Sequence, residues 1–152
     1  MKKVNFDIEI HEMPIEVFVK EYKELYEASK SACQNAYAPY SNFKVGCAMQ
    51  LDNQQIIKGG NQENAAFPAC TCAEGTALSV VSALFPDSKI EKIAITIENP
   101  NEPVAPCGIC RQRFAEYELR MKKEFEYFLI GNENVFSFKG IKNLLPLSFT
   151  SF

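Results

Sequence analysis

The sequence predicts an α/β protein, a mixed central sheet covered by helices on both faces. Three observations carry that reading. An amphipathic helix pattern follows Pro14, two alternating segments at 43–51 and 55–58 read as a hairpin, and from residue 73 onward helices and strands take turns. The 152 residues suffice for one proper core, and no repeat, low-complexity tract or linker divides them, so a single domain over 1–152 is expected.

Each element has its own signal. Residues 1–12 are short and mixed and read as an extended arm, with the one histidine, His11, on the surface. Pro14 suits a first helical turn, which does not need its N–H. Phe18, Tyr22, Leu25, Ser29, Ala32 and Ala36 then recur at spacings of four and three, which predicts a helix to about Tyr37. Ala38-Pro39-Tyr40-Ser41-Asn42 is turn-rich. Phe43, Val45, Cys47, Met49 and Leu51 alternate as in a strand, Asp52-Asn53 turns the chain, and Gly59-Gly60 is expected to release it into Asn61-Gln62-Glu63-Asn64. Residues 73–85 are apolar nearly all round, so that helix is expected to be buried on most sides, with Pro86-Asp87 stopping it. Ile93, Ile95 and Ile97 mark a strand, 108–120 a helix, 125–130 and 135–138 two strands around Gly131-Asn132, and 141–145 a short helix before the tail.

Composition limits the function. A formal net charge of −3 with scattered Lys and Arg argues against a phosphate-tracking surface, so no nucleic-acid partner is expected. No apolar run approaches the roughly 20 residues of a membrane span, and the first residues lack the long apolar core of a signal peptide. A cytoplasmic protein without a membrane partner is therefore expected. In such a reducing compartment, six cysteines point to metal binding or chemistry rather than disulfides. Cys33 and Cys47 read as small core residues.

The chemistry gathers in Cys72-Ala73-Glu74 and, 35 residues after Cys72, Pro106-Cys107-Gly108-Ile109-Cys110. Catalytic zinc sites supply three protein ligands and leave one position open. Cys72, Cys107 and Cys110 make three, and Glu74 is close enough to serve the open position without binding the metal. Cys107 and Cys110 share one side of a first helical turn, and Cys72 precedes a second helix, so both helix N-termini favour thiolates. Two alternatives stay open on these residues. Cys107-x-x-Cys110 resembles a redox pair, and Cys70 offers a fourth thiolate for a closed structural site.

Three further stretches settle on a family. Ala38-Pro39-Tyr40-Ser41-Asn42-Phe43-Lys44-Val45-Gly46, Gly60-Asn61-Gln62-Glu63-Asn64-Ala65 and Leu144-Leu145-Pro146-Leu147-Ser148-Phe149 join the two cysteine motifs in one order across most of the chain. Together the five resemble the short zinc-dependent cytidine deaminases. The resemblance implies three α/β/α layers, Zn2+ on Cys72, Cys107 and Cys110 with Cys70 outside the metal, and Glu74 as proton shuttle. It implies that Phe43 packs on the base, that Asn61 and Glu63 hold the ribose hydroxyls, and that Ala73 offers its N–H to the base carbonyl. It also implies a homotetramer in which Phe149 reaches a neighbour's site. The implied reaction takes cytidine and 2′-deoxycytidine to uridine and 2′-deoxyuridine with release of ammonia, as in pyrimidine salvage. A deaminase of a nucleoside-like compound such as blasticidin S, or a catalytically weak zinc protein that only binds nucleosides, are the alternatives. One departure stands out: the family commonly has Arg after Cys-Ala-Glu and an apolar residue at the position of Arg113. Here Gly75 follows Glu74, and Arg113, one helical turn beyond Cys110, has two readings: a replacement for the missing guanidinium or a solvent-exposed arginine on the helix.

Overall fold

The computed structural model describes residues 1–150. In chain order the elements are β1 (His11–Pro14), α1 (Ile15–Glu21), α2 (Lys23–Gln34), β2 (Val45–Leu51), β3 (Ile56–Gly60), α3 (Ala73–Leu84), β4 (Ile90–Ile97), α4 (Gly108–Met121), β5 (Glu126–Ile130) and β6 (Asn134–Lys139). Among the described residues the strands form one sheet in the order β1-β6-β5-β4-β2-β3. Its pairs are antiparallel except β4 with β5. A parallel pair cannot be joined by a tight turn, and α4 is the crossover that joins this one.

Two apolar clusters cover the two faces, giving the three layers. Phe18 and Leu25 of α1 and α2 pack with Ala48, Ala94, Phe128 and Ile130. Ala77, Leu78 and Val81 of α3 and Phe114 of α4 pack with Cys47, Met49, Ile93 and Tyr127 on the other side. Successive residues of β2 therefore serve opposite cores, as a period of two requires.

Several expectations shift at element ends. The first helix is kinked at Tyr22, whose backbone (φ −124°, ψ 41°) separates α1 from α2. The cause is packing: its ring lies 5.3 Å from Phe18 and 4.8 Å from Phe128. Pro14 caps that helix as the last residue of β1, a strand that the mixed sequence of the arm did not announce. The second strand begins at Val45, not Phe43. Gly59 and Gly60 lie inside β3 and do not release the chain there. A Cβ on Gly59 would stand 2.4 Å from the Ala73 carbonyl oxygen and 2.5 Å from the Ala77 nitrogen, so the glycine lets the start of α3 rest directly on the sheet. Helix α3 is buried against the sheet and against α4, with only Ser79, Ala83 and Leu84 exposed. The last short helix shrinks to a 3-10 turn, Ile141–Asn143.

Near the end of α4, Glu118 ties the helix to the sheet. Its Oε1 accepts from the Phe125 N–H at 3.1 Å, the Tyr127 hydroxyl at 2.8 Å and the Ile141 N–H at 3.1 Å. Burial pushes its carboxyl above the ordinary range.

Candidate active site

Two helix N-termini meet at the site, as the sequence led one to expect. Cys72 is the residue that caps α3 and Cys107 the residue that caps α4. Neither cysteine makes a side-chain cap bond, and both stand at the positive end of a helix dipole, which favours thiolates. Cys110 sits one turn into α4 and is fully buried. The three Sγ atoms lie within 4.8 Å of one another, and Cys72 Sγ is 3.9 Å from Cys107 Sγ. Zinc bonds of about 2.3 Å at tetrahedral angles would set such sulfurs about 3.8 Å apart. The donor set therefore fits a zinc ion. Cys70 stands apart from this cluster: it is exposed, and its Sγ takes the Asn64 N–H at 3.3 Å.

The thiols are electrostatically coupled. The Cys72 thiol is lowered to about 6, first by its hydrogen bond from Cys110, then by Cys107 and the positive charge of Arg113. Cys110 moves the other way, first because it gives that hydrogen bond and then because it is buried. Three thiols gathered at one point are a set of donors whose protons a cation can displace. Glu74, on the first turn of α3, is buried, and burial raises its carboxyl above the ordinary range. Ala73, between the two, is fully buried and opens the helix.

A second group of loops is laced to this centre. Gln62 and Thr71 exchange backbone hydrogen bonds at 2.8 and 2.9 Å, which sets 61–63 beside the residue preceding Cys72. Tyr37 N–H reaches the Asn61 carbonyl at 2.9 Å, and Glu63 N–H reaches the Tyr37 carbonyl at 2.8 Å. Asn61 grips the next loop with both ends of its amide: Nδ2 donates to the Phe43 carbonyl at 2.9 Å, and Oδ1 accepts from the Val45 N–H at 2.7 Å. The Glu63 carboxylate accepts from the Tyr40 N–H at 2.8 Å, the Ser41 N–H at 3.3 Å and the Ser41 hydroxyl. The Ser41 hydroxyl bond, first, and the Tyr40 N–H hold that carboxyl below its ordinary range, so it stays ionised. Phe43 is presented with its ring exposed.

Residues that the sequence did not single out complete the frame. Arg111 Nε donates to the Pro106 carbonyl at 2.7 Å and Nη1 to the Leu144 carbonyl at 2.9 Å. Gln112 clamps Phe149, Nε2 donating to its carbonyl at 2.6 Å and Oε1 accepting its N–H at 3.0 Å. Their one signal was position, immediately after Cys110. Arg113 reaches across to α3, where a Cβ on Gly75 would stand 2.0 Å from its Nη1. Two clefts of about 710 and 760 Å³, at Glu12–Asn101–Asn134 and at His11–Lys123–Lys142, contain none of these cysteines.

The chain is similar to several known proteins. The family model for the cytidine and deoxycytidylate deaminase zinc-binding region matches residues 19–123. The chain is 36% identical over 117 residues to a cytidine deaminase of Mycoplasma genitalium, covering 76% of this chain and 85% of that one. It is 34% identical over 128 residues to one of Halalkalibacterium halodurans, covering 84% and 92%. The crystal structure of cytidine deaminase from Burkholderia pseudomallei superposes with a TM-score of 0.71 at 39% identity, over 84% of this chain and 98% of that one.

Proposed function

The chain belongs to the cytidine and deoxycytidylate deaminase family, and from that premise we propose that it hydrolyses cytidine and 2′-deoxycytidine to uridine and 2′-deoxyuridine, releasing ammonia. One observation supports this above the others: three cysteine sulfurs within 4.8 Å at two helix N-termini, with a buried carboxylate, Glu74, on the first turn beside them. Zinc held by Cys72, Cys107 and Cys110 would supply Lewis acidity and ease the ionisation of water.

The protein's own groups do the rest. Glu74 takes a proton from the attacking water and delivers it to the pyrimidine ring nitrogen N3. The oxygen adds at C4, the C4–N4 bond breaks, and the same carboxyl helps protonate the departing ammonia. Burial of Glu74 suits both directions of transfer, because it weakens the preference for the charged form. The Ala73 N–H, at the start of α3, is assigned to the base carbonyl, and Phe43 to the face of the base. Asn61 and Glu63 are assigned to the ribose. Their internal bonds leave one amide N–H and one carboxylate lone pair unused, enough to donate to and accept from a sugar hydroxyl.

The active form we propose is a homotetramer. Around the site Tyr40, Phe43, Phe67, Ile109, Leu147 and Phe149 are all exposed in one chain. Exposed apolar side chains of that kind are what neighbouring subunits cover, and Phe149 is the residue assigned to a neighbour's site. The unpaired state of all six cysteines fits the reducing cytoplasm, and pyrimidine salvage is the role such a reaction serves.

The test is ammonia release from cytidine, 2′-deoxycytidine, cytosine and blasticidin S, run beside Glu74→Ala. The nucleosides should turn over, and Glu74→Ala should keep one zinc per chain while losing activity by about 10²–10⁴-fold. Release from blasticidin S alone, or near-normal turnover in Glu74→Ala, overturns the reading.

A further inference from the structure

Three thiolates on a divalent cation leave one net negative charge at the centre. That charge makes the metal a weaker Lewis acid, so something positive should stand behind the sulfurs if the site is to work on water. Among the described residues around the cluster, the structure offers one cation in the right place. Arg113 lies three residues after Cys110, on the same face of α4. Its guanidinium crosses to α3 and enters the space that a side chain at Gly75 would fill. A Cβ built there stands 2.0 Å from Arg113 Nη1, 3.2 Å from Cζ and 3.2 Å from the Thr71 methyl carbon. Gly75 itself is buried, although the Arg113 side chain is exposed elsewhere along its length. The notch is therefore roofed by the guanidinium and walled by Thr71, the residue before Cys72.

We propose that Gly75 and Arg113 form one device: the glycine exists to admit the guanidinium, and the guanidinium offsets the negative charge of the three metal-bound thiolates. The proposal rests on the zinc reading given above. Two independent facts support it. The steric one is the notch. The positional one is that Arg113 stands one helical turn from Cys110, and its guanidinium closes on the same point as the methyl of Thr71, the neighbour of Cys72. An arginine that merely lay on the helix surface would show neither.

The pairing predicts which substitutions substitute for each other. The atom that a Gly75→Ala methyl would strike is the far end of a flexible side chain, so the variant should fold and simply expel the guanidinium. Gly75→Ala should then behave like Arg113→Met, although it leaves the arginine in the sequence. Arg113→Lys keeps the charge without the fork and should fall between them and the parent. Gly75→Arg placed on Arg113→Met should recover function, because the new guanidinium starts from the notch itself.

The experiment loads each variant with Co2+ and records the sulfur-to-cobalt charge-transfer band, then measures cytidine turnover on the zinc form. Removing a cation from the thiolates raises the energy of the sulfur electrons, so Arg113→Met and Gly75→Ala should both move the band to longer wavelength. Turnover should fall by about 10–100-fold, the usual weight of an outer-shell partner. The double variant should move both back toward the parent. An unmoved band together with parental turnover in Arg113→Met or Gly75→Ala overturns the proposal. Should Arg113→Met not fold, Gly75→Ala decides alone. If the parent takes up neither Co2+ nor Zn2+, the zinc reading itself has failed, a separate result from the failure of the pair.

Discussion

Replacing Glu118 by alanine removes one acceptor that three donors share. The donors are the backbone N–H groups of Phe125 and Ile141 and the hydroxyl of Tyr127. Phe125 and Tyr127 are fully buried and Ile141 is 3% exposed, so these groups have little recourse to bulk water. Each orphaned donor costs roughly 1–3 kcal/mol. The three share one oxygen and Glu118 is only half-buried, so a simple sum overshoots, and a loss of about 3–5 kcal/mol is expected. For a chain of this size that lowers the melting temperature by about 10 °C. Glutamine keeps a carbonyl oxygen in the place of Oε1. Since burial outweighs the hydrogen bonds and raises the Glu118 carboxyl, the buried charge is a net cost at neutral pH. Glu118→Gln should therefore stay within about 1 kcal/mol of the parent. The pH sign follows from the same shift. A carboxyl raised in the folded state contributes stability below its unfolded value of 4.5, lost as the pH rises through its raised value. The parent should gain on Glu118→Gln as the pH falls from neutrality toward that range. Urea unfolding followed by circular dichroism measures all of this, with Tyr127→Phe as a partner variant that should shrink the cost of alanine. An alanine loss below about 1 kcal/mol, or equal losses for alanine and glutamine, would refute the reasoning.

Two further outcomes are expected. Cys70→Ser should retain one zinc per chain, since the Cys70 thiol engages Asn64 and stands outside the three-sulfur cluster; metal analysis showing lost zinc would point to a closed four-cysteine site. Truncation after Leu147 should raise KM for cytidine and disturb the proposed tetramer, because it removes the Phe149 backbone that Gln112 clamps; a fully active monomer by light scattering would contradict the proposed sharing of sites.

Much of the fold was legible because its signals were local. The alternation of β2 and β4 and the placing of cysteines before α3 and α4 needed only sequence spacing. Most of the misplacements came from partners distant in sequence. Nothing in Tyr22 announces a kink until Phe128, far along the chain, packs against its ring. The apolar alternation runs on into Phe43, but Asn42 turns with φ 56°, and the Ser41 hydroxyl accepts the Phe43 N–H. Asn61 then takes the Phe43 carbonyl, so the ladder starts two residues later. Gly59 reads as a turn residue until Ala73 and Ala77 are seen against it. At the site, residue types and spacing named the sulfurs and Glu74, while the clamps of Asn61, Glu63 and Gln112 depend on loops that only the fold brings together.

The start of α4 explains how the site is held together. Successive helical residues turn by about 100°, so four in a row face nearly every direction around the axis. Cys110 faces inward to the other sulfurs. Arg111 holds the carbonyl of Pro106, the residue before Cys107, and with a second nitrogen the carbonyl of Leu144. Gln112 grips the backbone of Phe149, and Arg113 fills the notch over α3. Cys110-Arg111-Gln112-Arg113 thus joins the clustered cysteines, the loop that precedes Cys107, the C-terminal tail and the opposite helix. Glu118, two turns on, fixes the same helix to β5 and to the turn after β6. A helix pinned at both ends can hold two thiolates in register with Cys72 even where its outer face is open. In the proposed tetramer this openness has a use, because the exposed Ile109, Leu147 and Phe149 would be presented from a fixed frame to a second copy.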